Sequence, residues 1–284
     1  MMTITKKIFN KAFQIFFGFS FYTYKGALSN RSFDSMSSIL FWMLSNLEKK
    51  YPKFNITDKK VAELGSGIFL SHPLGLKILG AKSIFTFDLY NQFIRKLALI
   101  SFSQRVMSKK FYTSKIESST YNNQIDEILQ TNFDLNELKK IGINYKAPYD
   151  INDFEETNKF DLFISYTVME HVPPNDILKL LKTSINILKP KGYFCHFIDL
   201  EDHKDPINKP FEFLANKEWS EKNSFNRGNR LRLNDWKNKF DNIDNISYEF
   251  VKLLERDKSA LPSGIQKIRE NYTSGILVVG QKKF

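Results

Sequence analysis

The stretch Val61-Ala-Glu-Leu-Gly-Ser-Gly67 decides the fold class of this chain. Its apolar residues belong to a predicted strand, Lys60–Leu64, which leads directly into a Gly-x-Gly turn. Glycines permit a tight turn, and their missing side chains let a ligand lie close to the backbone. Asp88 ends the next predicted strand, about 20 residues further on, where an acid that binds a ribose is expected. The segment therefore predicts a ligand site at the ends of two neighbouring strands.

The rest of the chain alternates between strand and helix patterns. Further strands are predicted at 83–88, 160–165, 193–200, 246–253 and 275–281, and helices at 35–50, 71–80, 91–109, 174–188 and 234–240. Ser71 is the predicted N-cap of the helix after the glycine turn, and Pro73 is tolerated in the first turn of that helix. Strands that alternate with helices of this length predict an α/β fold with a parallel sheet covered on both faces.

Length and composition restrict the possible classes. A chain of 284 residues suffices for one large domain, or for one domain with a cap. Lys and Arg number 42 against 31 Asp and Glu, and the net charge of +11 suits anionic partners. Heavy use of Lys, Asn, Ile and Phe explains that charge equally well as a bias of AT-rich coding. The single cysteine, Cys195, excludes an internal disulfide and predicts a reducing, cytoplasmic location. No run approaches the roughly 20 apolar residues of a membrane span.

The chain divides into a predicted N-terminal arm, residues 1–58, and a main domain, residues 59–284. Residues 1–33 contain no acidic residue, and their apolar residues recur at helical spacing. Such a basic, aromatic helical arm can pack on the domain or make peripheral contact with an anionic membrane surface. Within the domain, residues 116–142 are predicted to form a helical insertion, and residues 201–232 a substrate lid.

Three segments resemble the class I S-adenosylmethionine-dependent methyltransferases. The first motif of that family reads acid-x-Gly-x-Gly-x-Gly; Glu63 and two glycines match it, while Phe69 takes the third glycine position. The strand and acid-His-Val turn of Phe160-Asp-Leu-Phe-Ile-Ser-Tyr-Thr-Val-Met-Glu-His-Val172 resemble members that act on small molecules. Leu188-Lys-Pro-Lys-Gly-Tyr193 resembles the turn into the fifth strand. The resemblance implies a Rossmann-like, doubly wound, mostly parallel seven-stranded sheet with helices on both faces, and S-adenosyl-L-methionine as the cofactor.

The resemblance also implies which residues hold that cofactor. They are the residues of the first turn and of three further loops or strand ends: Glu63, Gly65, Ser66, Gly67, Asp88, Asp150 and Ser165. Asp88 would accept both ribose hydroxyls. Asp150 falls where the family contacts the adenine amino group, although an Asx turn explains this residue equally well. Ser165 closes the fourth predicted strand and would face the methionine end of the cofactor.

The candidate base is a histidine. An alcohol acceptor must lose its proton as it attacks, so a nearby base assists the reaction. His203 is the first candidate, with Asp199 four residues earlier to orient its ring, and His171 is the second. Both histidines follow predicted strands at the edge where open α/β folds bind ligands. His196 lies within a strand and is predicted to be packed. No spacing of His, Asp and Glu suggests a ligand set, so no metal is expected.

The predicted lid carries the candidate substrate-binding residues Trp219, Arg230 and Arg232. Aromatic and arginine side chains suit a sugar or a phosphorylated acceptor. The segments Ile198–His203 and Gly142–Pro148 resemble a poorly characterised subgroup of bacterial methyltransferases, some associated with cell-surface polysaccharide synthesis. We therefore expect O-methylation of a small molecule or glycan.

Other functions stay open at this point. A methyltransferase acting on RNA or another nucleic acid fits the charge. However, amino-methylating enzymes of that type commonly show an Asn/Asp-Pro-Pro-aromatic signature, and here the fourth strand leads into Ser165-Tyr-Thr-Val168. A non-catalytic module that binds the cofactor is the second alternative. A nicotinamide-dependent oxidoreductase is disfavoured because Leu70 replaces the third glycine of the dinucleotide fingerprint.

Overall fold

A computed structural model describes residues 14, 24–25, 29, 31–105, 107–215 and 227–284. Most of the predicted helix in residues 1–33 lies outside the described residues, and so does Trp219. The first helix, α1 (Phe33–Lys50), begins two residues earlier than predicted. Its N-cap Ser32 accepts a hydrogen bond from the Ser35 N–H at 3.3 Å, which satisfies one of the backbone donors that a helix start leaves open.

Seven strands form one sheet: β1 (Lys60–Leu64), β2 (Ser83–Phe87), β3 (Ile143–Lys146), β4 (Phe160–Tyr166), β5 (Leu188–Asp199), β6 (Ile246–Glu255) and β7 (Thr273–Lys282). Their order across the sheet is β3-β2-β1-β4-β5-β7-β6. Strands β1 to β5 pair in parallel, whereas β7 is antiparallel to both β5 and β6. The predicted Rossmann-like, mostly parallel seven-stranded sheet is therefore confirmed.

Helices cover both faces of this sheet. After α1 they are α2 (Ser71–Ile78), α3 (Arg95–Ser103), α4 (Lys109–Thr113), α5 (Ser118–Gln130), α6 (Leu135–Lys140), α7 (Ile177–Asn186), α8 (Leu233–Asp241) and α9 (Arg269–Tyr272). Apolar residues of α1 to α6 share one buried cluster with Val61 and Ile164. Those of α7 and α8 share the other with Ala62 and Phe163. Successive strand residues point to opposite faces, which explains why the strands are apolar throughout.

Three predicted details are wrong. Ser71 is not the N-cap but the first residue of α2, because Leu70 before it takes a left-handed conformation (φ 54°) with its side chain buried. The helix predicted at 91–109 is shorter, since the N–H groups of Gln92 and Phe93 donate to the hydroxyl of Tyr145 instead. The Lys-Pro-Lys-Gly turn before residue 193 belongs to β5, where the pairing with β4 shifts register.

The topology places a crevice at one edge of the sheet. The chain moves from β1 outward to β2 and β3, then returns to β4 on the other side of β1. Open α/β sheets bind ligands at such a switch point, beyond the carboxyl ends of the strands. The glycine turn follows β1 at this edge, Asp88 follows β2, and the two candidate histidines follow β4 and β5. Among the described residues, no helix is both long and apolar enough to cross a membrane.

Candidate cofactor and acceptor site

The turn after β1 contains two glycines in the left-handed region, with different surroundings. Gly65 has φ 78° and Gly67 has φ 65°, a region that costs residues with a Cβ about 1–2 kcal/mol. A Cβ on Gly65 would lie 2.3 Å from Cγ2 of Val168, in the loop after β4. A Cβ on Gly67 would meet no atom of the described residues within 4 Å. Packing therefore requires the first glycine, while the second borders the open crevice.

Asp88 faces this turn from the end of β2. Asp88 is 7% exposed. Its carboxylate accepts hydrogen bonds from the N–H of Gly67 at 3.3 Å and from that of Tyr90 at 3.5 Å. Burial raises the pKa of the Asp88 carboxyl, and these backbone hydrogen bonds oppose the rise. An ionised carboxylate has about four acceptor positions, so Asp88 keeps capacity for the hydroxyl groups of a ligand.

Glu63, near the end of β1, contacts the two elements next to the glycine turn. It is 1% exposed, and its carboxylate accepts a hydrogen bond from the Thr86 hydroxyl at 2.8 Å. The other carboxylate oxygen lies 3.2 Å from Nδ1 of His72, which belongs to α2. The acid thus connects β1, β2 and α2 beneath the crevice. Sequence spacing did not suggest this use of His72, because the contact crosses between elements.

Three other predicted cofactor residues occupy distinct environments. The Ser66 hydroxyl is buried and has no hydrogen-bond partner among the described residues. Ser165 is buried, and its hydroxyl lies 3.0 Å from Nδ1 of His196. Burial lowers the pKa of His196 to about 3, so this ring is neutral, and the prediction that it is packed is confirmed. The exposed Asp150 accepts from the Asn152 N–H at 2.8 Å, which is an Asx-type cap of a short 3-10 helix.

The two candidate bases meet at the carboxyl edge. The rings of His171 and His203 pack edge to face, with their centroids 4.7 Å apart. Asp199 Oδ2 lies 3.4 Å from Nε2 of His203, which is within ion-pair distance but longer than a normal hydrogen bond. The side chain of His203 is 21% exposed and that of Asp199 is 27% exposed. Both side chains are therefore partly accessible from solvent.

Glu170 completes the group at this edge and was missed by sequence reasoning. It is 1% exposed, and neither carboxylate oxygen makes a hydrogen bond of ordinary geometry with another described residue. Burial raises the pKa of Glu170 well above its usual range, and the charge of Asp199 adds to the rise. One donor atom each of Glu170, His171 and His203 lies within 4.8 Å of the others. The acid-His-Val turn was the only available signal, since His203 lies on a different loop.

Two arginines in the described part of the predicted lid, Arg230 and Arg232, make different contacts. Arg232 is 7% exposed, and its guanidinium donates to the carbonyl oxygens of Leu200, Glu270, Asn271 and Thr273. These bonds join the lid to the loop after β5, to α9 and to the start of β7. The predicted contact of Arg232 with the substrate stays a prediction. The guanidinium of Arg230 lies 5.8 Å from the ring of Phe213. Burial lowers the pKa of Arg230, and the charge of Arg227 adds to this effect.

Asn229 fixes the lid against the histidine edge. Its side-chain amide donates to the carbonyl oxygens of Met169 at 2.9 Å and Val172 at 3.0 Å. Its backbone N–H donates to the carbonyl oxygen of Glu170 at 2.5 Å. These bonds fix the backbone of the short 3-10 helix Met169–His171, which carries Glu170 and His171.

Several solved structures are similar to this chain. An S-adenosylmethionine-dependent methyltransferase from Mesorhizobium loti is 13% identical, with 82% of this chain and 94% of that chain covered and a TM-score of 0.45. The PH0226 protein of Pyrococcus horikoshii OT3 is 14% identical over 88% of this chain and 92% of its own, with a TM-score of 0.46. The CurJ carbon methyltransferase is 12% identical over 88% of this chain and 55% of its own, with a TM-score of 0.45. No protein-family model and no curated protein matches the chain.

Proposed function

We propose that this chain is an S-adenosylmethionine-dependent methyltransferase that methylates an oxygen of a small-molecule or glycan acceptor. The observation that carries the proposal is the pairing of Asp88 with the glycine turn. The Gly67 N–H lies 3.3 Å from the buried Asp88 carboxylate, beside open space. This arrangement suits a ligand with two neighbouring hydroxyls, such as a ribose, whose adjoining atoms approach the backbone closely.

The turn fits an adenosyl group better than a dinucleotide. The Gly65 N–H donates a hydrogen bond to the carbonyl oxygen of Phe87, at the end of β2, at 2.8 Å. It is therefore not free to bind a phosphate. Leu70 stands at the third glycine position of the dinucleotide fingerprint, and its side chain is fully buried. Phe69 packs against Leu97 of α3 and is not within 4 Å of a Cβ on Gly67. Phe69 therefore does not fill the space beside Gly67, although it replaces the family's third glycine.

The residues proposed to hold the cofactor each supply a different contact. Asp88 would hold the ribose, and the unpartnered Ser66 hydroxyl offers a further polar contact inside the crevice. Asp150 and Ser165 stay proposed contacts for the adenine amino group and the methionine end. When bound, S-adenosylmethionine supplies a methyl group activated by a positively charged sulfur. Because that leaving group is already good, the chain mainly has to orient the acceptor and remove its proton.

His203 is the proposed proton acceptor, and His171 is the second candidate. With a carboxylate 3.4 Å from Nε2, the favoured tautomer of His203 carries its proton on that nitrogen, which leaves Nδ1 to accept the proton of the acceptor. Asp199 then stabilises the charged ring after the proton has moved. This role for His203 is supported by its partial exposure at the same edge of the sheet as the glycine turn.

A small polar acceptor is supported by the chemistry of the lid. Arg230 lies beside the aromatic Phe213 at this edge, and arginine suits a sugar phosphate or another anionic group. Trp219 and Arg232 stay predicted contacts for the acceptor. No observation among the described residues favours a nucleic acid over such an acceptor. A cytoplasmic location, with peripheral membrane contact through residues 1–33, stays a prediction from the sequence.

Methyl transfer tests this function directly. The purified chain is incubated with S-adenosylmethionine labelled in its methyl group and with a panel of sugars, sugar phosphates and other hydroxyl compounds. We expect the label in an ether product with at least one acceptor. Cofactor binding without transfer to any compound class, nucleic acids included, would instead support a non-catalytic module. A response to nicotinamide cofactors alone would support an oxidoreductase.

A further inference from the structure

The acceptor edge contains a buried carboxylate that the proposed function does not use. Glu170, His171 and His203 each place one donor atom within 4.8 Å of the other two, although they come from two different loops. Glu170 is 1% exposed, and its oxygens make no hydrogen bond of ordinary geometry with the described residues. We propose that these three side chains bind one divalent transition-metal ion, with zinc as the expected ion.

The donor set favours this class of ion. Two imidazole nitrogens and one carboxylate oxygen suit zinc and related first-row ions, whereas magnesium and calcium prefer oxygen ligands. Three protein ligands that leave further positions open are typical of catalytic zinc sites. Bonds of about 2.0–2.1 Å place tetrahedral ligands about 3.3 Å apart. Side-chain movements of about 1.5 Å would therefore close the three groups around an ion.

Electrostatics at this edge also favour a cation. A buried carboxylate is costly, because burial removes most of the water that would stabilise its charge. Asp199 is a second acid nearby, and its charge acts unfavourably on Glu170. A divalent ion between Glu170 and the histidines would stabilise the ionised form of Glu170 against both its burial and the charge of Asp199.

The proposed ligands are held in place before any ion binds. Asn229 fixes the 3-10 helix that carries Glu170 and His171, through three hydrogen bonds to backbone carbonyls. Asp199 lies 3.4 Å from Nε2 of His203 and restrains the orientation of that ring. Carboxylates beside metal-binding histidines commonly perform this task. The backbone that carries Glu170 and His171 is therefore already fixed, and only side chains have to move when an ion binds.

This inference goes beyond the proposed function, because ion binding depends only on these side chains and not on methyl transfer. A bound ion would change one step of the proposed reaction, the activation of the acceptor hydroxyl. A histidine nitrogen that binds a metal has no lone pair for a proton, so the ion would polarise the acceptor hydroxyl in place of the His203 ring. The metal-free chain would then methylate more slowly, by way of the ring alone.

Metal binding to the untagged full chain tests the inference. Zinc is titrated calorimetrically into metal-free protein, and cobalt(II) is used in parallel as a coloured probe of histidine coordination. We expect one ion per chain. Glu170→Gln keeps the shape of the side chain and should weaken binding by at least ~10-fold, as should His203→Ala, since even indirect contacts to a metal contribute roughly 10–100-fold. Circular dichroism confirms that each variant is folded.

Asp88→Asn is the matched control, because it removes a buried acid from the other part of the site. It should bind zinc like the wild type while losing affinity for S-adenosylmethionine. Glu170→Gln should bind S-adenosylmethionine like the wild type while losing affinity for zinc. Absence of zinc and cobalt binding to the wild type would overturn the inference, and so would equal binding by wild type, Glu170→Gln and His203→Ala. Zinc binding without cofactor binding would support the metal site and contradict only the proposed function.

Discussion

Alanine at Gly65 and at Gly67 should have different consequences, although both glycines have left-handed backbone conformations. At either position, alanine in this conformation costs about 1–2 kcal/mol. At Gly65, the new methyl group would also lie 2.3 Å from Cγ2 of Val168, and relieving such an overlap costs about 1–3 kcal/mol more. We therefore expect Gly65→Ala to lower the free energy of unfolding by about 2–5 kcal/mol, and Gly67→Ala by about 1–2 kcal/mol.

Urea denaturation at neutral pH without cofactor measures both values, with the slope of the transition checked for constancy. Val168→Ala removes the clashing methyl group, so the double variant Gly65→Ala/Val168→Ala should show a favourable coupling of about 1–3 kcal/mol. Gly67→Ala places its methyl group in the crevice and should weaken S-adenosylmethionine binding while the fold persists. Equal destabilisation by the two glycine variants, without coupling to Val168, would refute the packing described for this turn.

Three further results are expected. Asp88→Asn should stabilise the cofactor-free chain at pH 7 in thermal melts, because burial raises the pKa of the Asp88 carboxyl. The gain in stability should vanish as the pH falls to 3.8, the ordinary pKa of an aspartate. A less stable variant at pH 7 would contradict this reasoning. The pKa of His196 falls from 6.5 in the unfolded chain to about 3 when folded, so stability is lost as the pH drops below 6.5, by about 2 kcal/mol at pH 5. A His196→Gln variant with the same loss between pH 7 and 5 would exclude this ring as the cause. His203→Ala should reduce methyl transfer ~10²-fold or more with unchanged cofactor affinity in calorimetry, and normal rates would shift the role to His171.

The fold was predictable from the sequence wherever local pattern and tertiary structure agree. The apolar run of β1, the Gly-x-Gly turn and the acid after β2 lie within about thirty residues and follow rules of backbone conformation and strand topology. The short edge strand β3 was missed, because only Ile143 of its four residues is buried. The late start of the helix predicted at 91–109 was missed too, since the first amides of that segment donate to the hydroxyl of Tyr145 in β3.

The candidate site was predictable only in part, because several of its contacts join distant segments. His203 and Asp199 are four residues apart, so their proximity follows from the sequence. The approach of Glu170 to His203 depends on the neighbouring positions of β4 and β5, and no local spacing encodes it. In the same way, the four carbonyl oxygens around Arg232 come from the loop after β5, from α9 and from the start of β7, which meet only in the folded chain.

Calorimetric titration of S-adenosylmethionine into the wild type and Asp88→Ala tests the proposed role of the glycine turn and Asp88 most directly. One molecule should bind per wild-type chain, and the variant should lose about 1–3 kcal/mol of binding free energy, as expected for a lost hydrogen bond to a charged group. That loss corresponds to a roughly 5–150-fold increase in Kd. Undetectable binding to the wild type, or the same Kd for both proteins, would contradict the assignment of this crevice to an adenosyl ligand.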